Sequence, residues 1–306
     1  MRAPLDLPKE VLGSRRWITT GVGASEGPAR LLATLVRASG GVADFAPISA
    51  FADGATPPAG DACVVVSQRL SPNARVPLAR AASYSHALLV TTVEPDDALR
   101  ASGVRVVRHG PADEDGLFLR VVGPAAASAT AIRIAAAIAG GACDASDGAR
   151  VEAALATARE RASEAAPDPA ALFDVAGIVA SNGDGALAAG LRHKLLEGLG
   201  VAQPPIWDVF SLVHGPLQSF YDRDATLLLL ERAPSEIVDR LMRVLHPRHR
   251  VVRLRSRLPG PLALLDYDLQ LDHVVLGALR ARPRDLVEWP GKGRDAPLYD
   301  VGGRLR

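Results

Sequence analysis

The chain reads in the same way twice. Trp17-Ile18-Thr19-Thr20-Gly21-Val22-Gly23 can be set over Gly177-Ile178-Val179-Ala180-Ser181-Asn182-Gly183, and in that setting Ala29 falls on Ala189 and Leu31 on Leu191. Each copy is an apolar run, a glycine-bearing turn and an Ala/Leu-rich stretch, the pattern of strand, tight turn and helix. Further on, Asp61-Ala62-Cys63-Val64-Val65-Val66 falls on Asp224-Ala225-Thr226-Leu227-Leu228-Leu229, which sets Arg69 over Arg232. A strand–turn–helix unit used twice confines the chain to an α/β architecture of two parallel-sheet subdomains. The expected division is residues 1–150, with an N-terminal arm, and residues 151–306, with a C-terminal tail. The charged, proline-broken stretch 144–174 is the linker candidate.

Composition narrows the function classes. Hydrophobic residues make up 48% of the 306 and aromatics only 4%, so Ala, Val and Leu must do the packing, as suits helices laid on a sheet. Lys and Arg number 35 against 34 Asp and Glu, with no basic run, and nucleic-acid binding is not expected. Two cysteines, Cys63 and Cys143, cannot build a disulfide framework or a Cys-rich metal site. Met1–Arg16 has no apolar h-region, so a cytoplasmic location is expected. The Ala-rich run 125–139 is interrupted by Ser128, Thr130 and Arg133, so no membrane span is expected. His246 and His249 read as a surface turn and His273 sits beside Asp272 on a helix; neither spacing makes a metal site, and no metal is expected.

The chemistry-bearing residues lie where the apolar runs stop. After Thr20 comes Gly21-Val22-Gly23-Ala24-Ser25-Glu26-Gly27-Pro28, then a helix from Ala29 to Arg37. Free backbone N–H groups at such a helix start suit an anion, and Ser25 adds a hydroxyl. The same glycines give a variant dinucleotide spacing, but no acidic residue follows at the required distance, Asp44 being the nearest; no nicotinamide or other cofactor is expected. Ser67-Gln68-Arg69-Leu70-Ser71-Pro72-Asn73 follows the next strand and puts hydroxyls and an amide at the carboxyl edge of a parallel sheet, where ligands bind in open α/β folds. Ser71 is equally an N-cap for the helix after Pro72. Asp113-Glu114-Asp115-Gly116 reads as a solvated loop, and 125–139 and 151–165 as helices. In the second copy, Lys194 and Glu197 are three apart on a helix and therefore neighbours, an ordinary surface pair or half of an acid/base set completed by His214. Trp207 reads as core or interface. The first copy thus keeps small polar groups at its turns and the second supplies Lys194, Glu197 and His214, as if one copy holds a ligand and the other acts on it.

These residues resemble the double sugar isomerase (SIS) family, including the isomerase half of glutamine–fructose-6-phosphate aminotransferase and the fructosamine-6-phosphate deglycases. The pieces that carry the likeness are Gly23-Ala24-Ser25, Ser67-Gln68, the helix with Lys194 and Glu197, and His214-Gly215-Pro216-Leu217. The likeness runs from about Trp17 to Leu286. It implies two flavodoxin-like SIS subdomains in which Gly23, Ser25, Ser67, Gln68 and Ser71 hold a sugar phosphate. Glu197 would move a proton between C1 and C2 of the open-chain sugar, His214 would help to open the ring, and Lys194 would sit beside both. A homodimer is implied, since His-Gly-Pro comes from the neighbouring subunit in the aminotransferase. The loop Ser67–Asn73 departs from the family's Ser-Gln-Ser-Gly pattern. Its Arg69 would either pair with a phosphate or carboxylate or fill the phosphate's place. The aminotransferase's Schiff-base lysine would fall near Glu288, and Lys292 reads as a solvated turn residue, so amination from glutamine is not expected. The expectations are an isomerase, deaminase or deglycase of a sugar phosphate or derivative, or else a non-catalytic sugar-phosphate-binding sensor.

Overall fold

The apolar runs become the inner strands of two parallel sheets. The computed structural model describes residues 5, 7–52, 54–110, 114, 116–140, 145–181, 183–232, 234–294 and 296–299. The chain divides into two units, residues 1–145 with 288–306, and residues 146–287. The C-terminal segment therefore groups with the first unit and not the second. Trp289 stacks on Phe118, ring centroids 4.4 Å apart, and Lys292 lies over Trp289 while pairing with Glu288 at 2.7 Å.

In the first unit the short α1 (Lys9–Leu12) precedes β1 (Arg16–Thr20). Then come α2 (Glu26–Ala38), β2 (Val42–Phe45), β3 (Ala62–Val66), α3 (Pro72–Leu78), β4 (His86–Thr91), α4 (Asp97–Ala101), β5 (Arg105–Arg108) and α5 (Val122–Ile138). The strands lie in the order β2-β1-β3-β4-β5, all parallel. Alternation sends Trp17, Ala62, Val64, Val66, Leu88 and Val90 to the face covered by α2 and α5. Ile18, Cys63, Val65 and Leu89 go to the opposite face, with Phe51, Ala74, Leu78 and Leu99. With both faces covered, β3 and β4 read as unbroken apolar runs. Burial pushes the Cys63 thiol up to about 12, so it is an inert core residue. Cys143 and residues 113 and 115 lie outside the described residues.

The second unit repeats the topology with one strand fewer. Its elements are α6 (Ala145–Ala156), α7 (Ala158–Ala165), β6 (Val175–Ala180), α8 (Gly185–Lys194), β7 (Ile206–Asp208), α9 (Val209–Val213), α10 (Pro216–Ser219), β8 (Ala225–Glu231), α11 (Glu236–Val244), β9 (His249–Arg255) and α12 (Ala263–Ala281). The strand order is β7-β6-β8-β9, again parallel. Strand pairing corrects the alignment of the two copies. Trp17 pairs with Ala62 and Gly177 with Leu227, so Ala62 corresponds to Leu227 and not to Ala225. The slip is two residues, which keeps every side chain on its face and is therefore invisible to hydrophobic pattern. It makes Arg232 the counterpart of Ser67, not of Arg69.

The linker candidate is structured. Residues 151–165 form two helices broken at Thr157, and they are built into the second unit. Val151 and Ala154 pack on Leu258, and Arg161 forks onto Asp266 with N–O distances of 2.6 and 2.9 Å. Asp266 is fully buried and also accepts from the Arg257 backbone N–H and the Gln270 amide. His249 is not a surface-turn residue either: it opens β9, buried, with its ring beside Phe220 and Tyr221. Trp207 is packing, as expected; it stacks on Phe220 and fills the space where a side chain on Gly177 would be. Among the described residues no helix is long and apolar enough to cross a membrane, and no group of His, Cys, Asp and Glu could hold a metal ion.

The Arg161–Asp266 fork gives a direct test. Arg161→Met strands a buried carboxylate and is expected to destabilise the protein by about 3–5 kcal/mol, read by urea unfolding. The double replacement Arg161→Met/Asp266→Leu is expected to recover most of that loss.

Candidate functional site

An order of β2-β1-β3 reverses direction between β1 and β3, and it is outside the carboxyl ends of strands at such a switch point that ligands bind in open α/β folds. The two polar stretches of the first copy are those loops. Gly23–Ser25 is a single 3-10 turn entered through Gly23 at φ +62°, a conformation that favours glycine. Gly21 is needed for a second reason. A Cβ there would lie 2.6 Å from the Ser25 carbonyl oxygen and 3.2 Å from that of Val66, so the missing side chain lets the first turn close onto the end of β3.

On the β3 side, Ser67, Ser71 and Asn73 form a chain of side chains. The Ser67 and Ser71 hydroxyls are 3.1 Å apart, and Ser71 Oγ donates to Asn73 Oδ1 at 2.5 Å. The Ser71 backbone N–H donates to Ser67 Oγ at 3.1 Å. Ser71 does occupy the N-cap position of α3, but its hydroxyl makes no capping bond; nor does that of Ser25 before α2. Leu70, between them, is the one non-glycine at positive φ (+48°) among the described residues. The left-handed backbone costs a leucine about 1–2 kcal/mol, and its side chain offsets part of this by packing on the core. Arg69 is exposed.

Gln68 points away from that hydroxyl chain. Its carbonyl accepts from the Thr91 and Thr92 hydroxyls at 3.0 and 2.7 Å. Its side-chain amide donates to Glu114 Oε2 at 3.4 Å and fills the place of a Cβ on Gly123. Glu114 overturns the expectation of a solvated loop: it is 7% exposed. Its carboxylate accepts the backbone N–H groups of Val121, Val122 and Gly123 at 2.6, 2.6 and 2.9 Å. Burial alone raises its pKa, but these N–H donors and Gln68 outweigh it and hold the carboxyl below the usual range. No local pattern announces this, because the first turn of α5 is anchored from a loop eight residues upstream. His109, just past β5, was also missed. It is buried with Nδ1 against the Gly110 carbonyl at 3.2 Å, and burial lowers its pKa.

In the second unit the corresponding strand ends carry an ion pair. Asp184, on the turn after β6, pairs with Arg232 at the end of β8 (3.2 Å), and Tyr267 donates to Asp184 at 3.4 Å. Burial raises the Asp184 pKa against the pull of Arg232. Asp44, the acidic residue weighed for a ribose, pairs on the surface with Arg16 at 2.9 Å.

Lys194 and Glu197 do not form the pair that helical spacing suggests. α8 ends at Lys194 and continues as a π turn, Leu195–Leu199, closed by Gly200 at φ +65°. A π turn winds less per residue than an α turn, so three steps carry Glu197 further round from Lys194. Lys194 is buried between Asp268, at 3.1 Å, and Asp272. Burial pulls its pKa down, but the two carboxylates outweigh this and the ammonium titrates above the usual lysine range. Glu197 is half-buried, with Oε2 shut off from solvent. His214 is exposed at the end of α9, and Phe210, one turn before it, is 68% exposed. Asp208 caps α9 through the Phe210 and Ser211 N–H groups.

No protein-family model and no curated protein matches the sequence. Solved structures do. The C-terminal domain of glucosamine-fructose-6-phosphate aminotransferase from Francisella tularensis superposes with a TM-score of 0.70 at 12% identity, over 92% of this chain and 88% of that one. Glucosamine-6-phosphate deaminase from Thermotoga maritima gives 0.69 at 11% identity, over 90% and 88%. Tagatose-6-phosphate ketose/aldose isomerase from Escherichia coli gives 0.64 at 14% identity, over 92% of this chain and 89% of that one. The chain has the double-SIS fold.

Within this SIS fold, strand topology accounts for the placing of Ser25 after β1 and of Ser67 and Ser71 after β3, and tertiary contacts account for what the sequence left unread: Glu114, His109, Asp184, Asp268 and Asp272. The Glu114 anchor has a pH signature. Its carboxyl titrates below the unfolded value of about 4.3, so its stabilisation is complete above that pH and is lost as the pH falls through the folded value. Glu114→Gln is expected to cost about 1.5–3 kcal/mol at pH 7 and to flatten the acid limb of the stability curve. Urea unfolding across pH 3 to 7 measures both, and identical curves for the two proteins would refute the anchor.

Proposed function

We propose that the protein acts on a sugar phosphate or a close derivative, transferring a proton between C1 and C2 of the open-chain form. Support comes from the shared fold, whose compared members are named for reactions of phosphorylated sugars, and from the serines that follow β1 and β3 at the switch point. The observation that carries the reading is Glu197, a carboxylate on a π turn, the kind of helical irregularity that recurs at functional sites, with one oxygen withdrawn from water.

In this reading Gly23, Ser25, Ser67, Gln68, Arg69 and Ser71 hold the ligand. The Glu197 carboxylate takes the proton from the carbon beside the carbonyl, the C–H electrons form the C1–C2 double bond as the C=O electrons move to oxygen, a proton passes between the two oxygens of this enediolate, and Glu197 returns its proton to the neighbouring carbon as the new carbonyl forms. His214 shuttles a proton to the ring oxygen during opening. With an amino-linked sugar, the same proton transfer followed by addition of water releases the amine. Lys194 is bound into an ion triad and is not assigned a proton-transfer step. The assembly proposed is a homodimer, to which the exposed α9 bearing Phe210 and His214 contributes surface.

A second reading, a non-catalytic sensor of sugar phosphates, is favoured by two observations. Gln68 is committed to Glu114, and the Ser67–Ser71–Asn73 chain closes on itself.

Two measurements decide between these readings. A thermal-melt screen of hexose phosphates, amino-sugar phosphates and unphosphorylated sugars is expected to show a shift with a phosphorylated sugar, since a ligand at about 100 times its Kd adds about 2.7 kcal/mol. Shifts with unphosphorylated sugars alone would mean that Arg69 stands in the phosphate's place. Glu197→Gln is then expected to abolish turnover of the bound sugar while leaving its affinity within about tenfold. Undiminished turnover would sink the assignment of the base, and binding without turnover in the wild type would establish the sensor.

A further inference from the structure

The π turn that carries Glu197 is fastened at both ends, and both fastenings come from the same part of the chain. At its start, Lys194 is buried against Asp268 and Asp272, one turn apart on α12. At its close, the Arg284 guanidinium, just beyond α12, donates to the Leu199 carbonyl oxygen. It also lies across Gly200, in the space that a Cβ would need. Gly200 therefore has two reasons to be glycine, its φ of +65° and this contact.

A π turn interrupts the i→i+4 ladder and persists where its surroundings over-determine it. Here the surroundings are one 19-residue helix, Ala263–Ala281, and the segment leaving it. Lys194 is ill suited to exchange protons at neutral pH, since two carboxylates hold its charge; it suits the part of a strut.

We propose that Asp272 and Arg284 are positioning residues, which set the direction of the Glu197 carboxylate by clamping the two ends of the π turn that bears it. That this direction matters for chemistry rests on the reading of Glu197 as the base.

The clamp can be tested without a ligand. In protein labelled with 13C at the Glu side-chain carboxyl carbons, the Glu197 resonance, assigned by its loss in Glu197→Gln, is titrated in wild type, Asp272→Asn and Arg284→Gln. Arg240→Gln, which removes an exposed ion pair with Glu236 in the same unit, is the control. The Glu197 midpoint is expected to move by about half a pH unit or more in both clamp variants and to stay in place in the control. Asp272→Glu and Arg284→Lys are expected to restore it in part. A Glu197 titration unchanged in folded Arg284→Gln, or moved equally in the control, would overturn the proposal. The exposed Arg284 keeps the test decisive if Asp272→Asn does not fold.

A second arm measures exchange of the C1 protons of fructose 6-phosphate in deuterated water. If wild type exchanges them, kcat is expected to fall about tenfold to a hundredfold in the clamp variants with KM unchanged; a rise in KM with kcat unchanged would overturn the proposal. If wild type does not exchange them, the proton-transfer reading fails for that sugar, and the carboxyl titration still decides the clamp.

Discussion

Helix N-termini carry backbone N–H groups that have no partner within the helix, and those groups must be satisfied wherever water is excluded. A parallel sheet collects many of these ends at one edge, and how each is dealt with organises much of this molecule. Asp96, Asp208 and Ser235 cap α4, α9 and α11 from the adjacent position. α5 is met by Glu114 from a distance, and that one carboxylate ties together a loop, a helix start and the Gln68 amide. The helices after β1 and β3 are treated differently. Ser25 and Ser71 stand at their N-cap positions without making capping bonds, and Ser71 is drawn instead toward Ser67 and Asn73. The helix starts at the switch point are thus the ones whose serines are not spent on caps.

The second unit shows the same scaffold put to another use. Its strand order repeats that of the first, and its chemistry-bearing residues sit on helical ends. Its interior carries more charge: Arg161 with Asp266, Lys194 with Asp268 and Asp272, Glu231 with Arg253 and Arg255. Each pair spans elements far apart in sequence, so each fixes one helix or strand against another. Ion pairs of this kind contribute geometric definition more than net stability, because desolvation offsets most of the Coulomb attraction. α12 takes part in two of the three, which makes it the reference rod of the unit.

Much of the fold was legible because period-two and glycine-turn signals are local. Trp17–Thr20, Ala62–Val66 and Ala225–Leu229 announce buried parallel strands by their apolar and β-branched character, and the repeat announces the topology. The strands that went unread, β2, β7 and β9, are short or edge strands with mixed polarity, where packing and not pattern decides. The candidate loops were legible and the couplings around them were not. Ser25, Ser67 and Ser71 could be picked out because they follow strands. Lys194 and Glu197 were read as neighbours because ideal helical spacing makes them so, and a π turn cannot be seen in Leu195-Leu196-Glu197-Gly198-Leu199. The partners Asp268 and Asp272 lie more than seventy residues away, beyond the reach of any local rule. The same holds for the two-residue slip between the copies, which hydrophobic pattern tolerates and only strand pairing reveals.

The ion pair of Asp184 with Arg232 gives the duplication a particular outcome. Copying a ligand-binding unit ordinarily doubles the number of binding places, and a chain with two equal crevices would take up two molecules. Here the corresponding strand ends of the second sheet carry the ion pair, with a tyrosine donating to its carboxylate. The scaffold is present twice, but its two sheet edges are not equivalent: one carries serine hydroxyls and the other an ion pair, so the fold repeats while the chemistry at its edge does not.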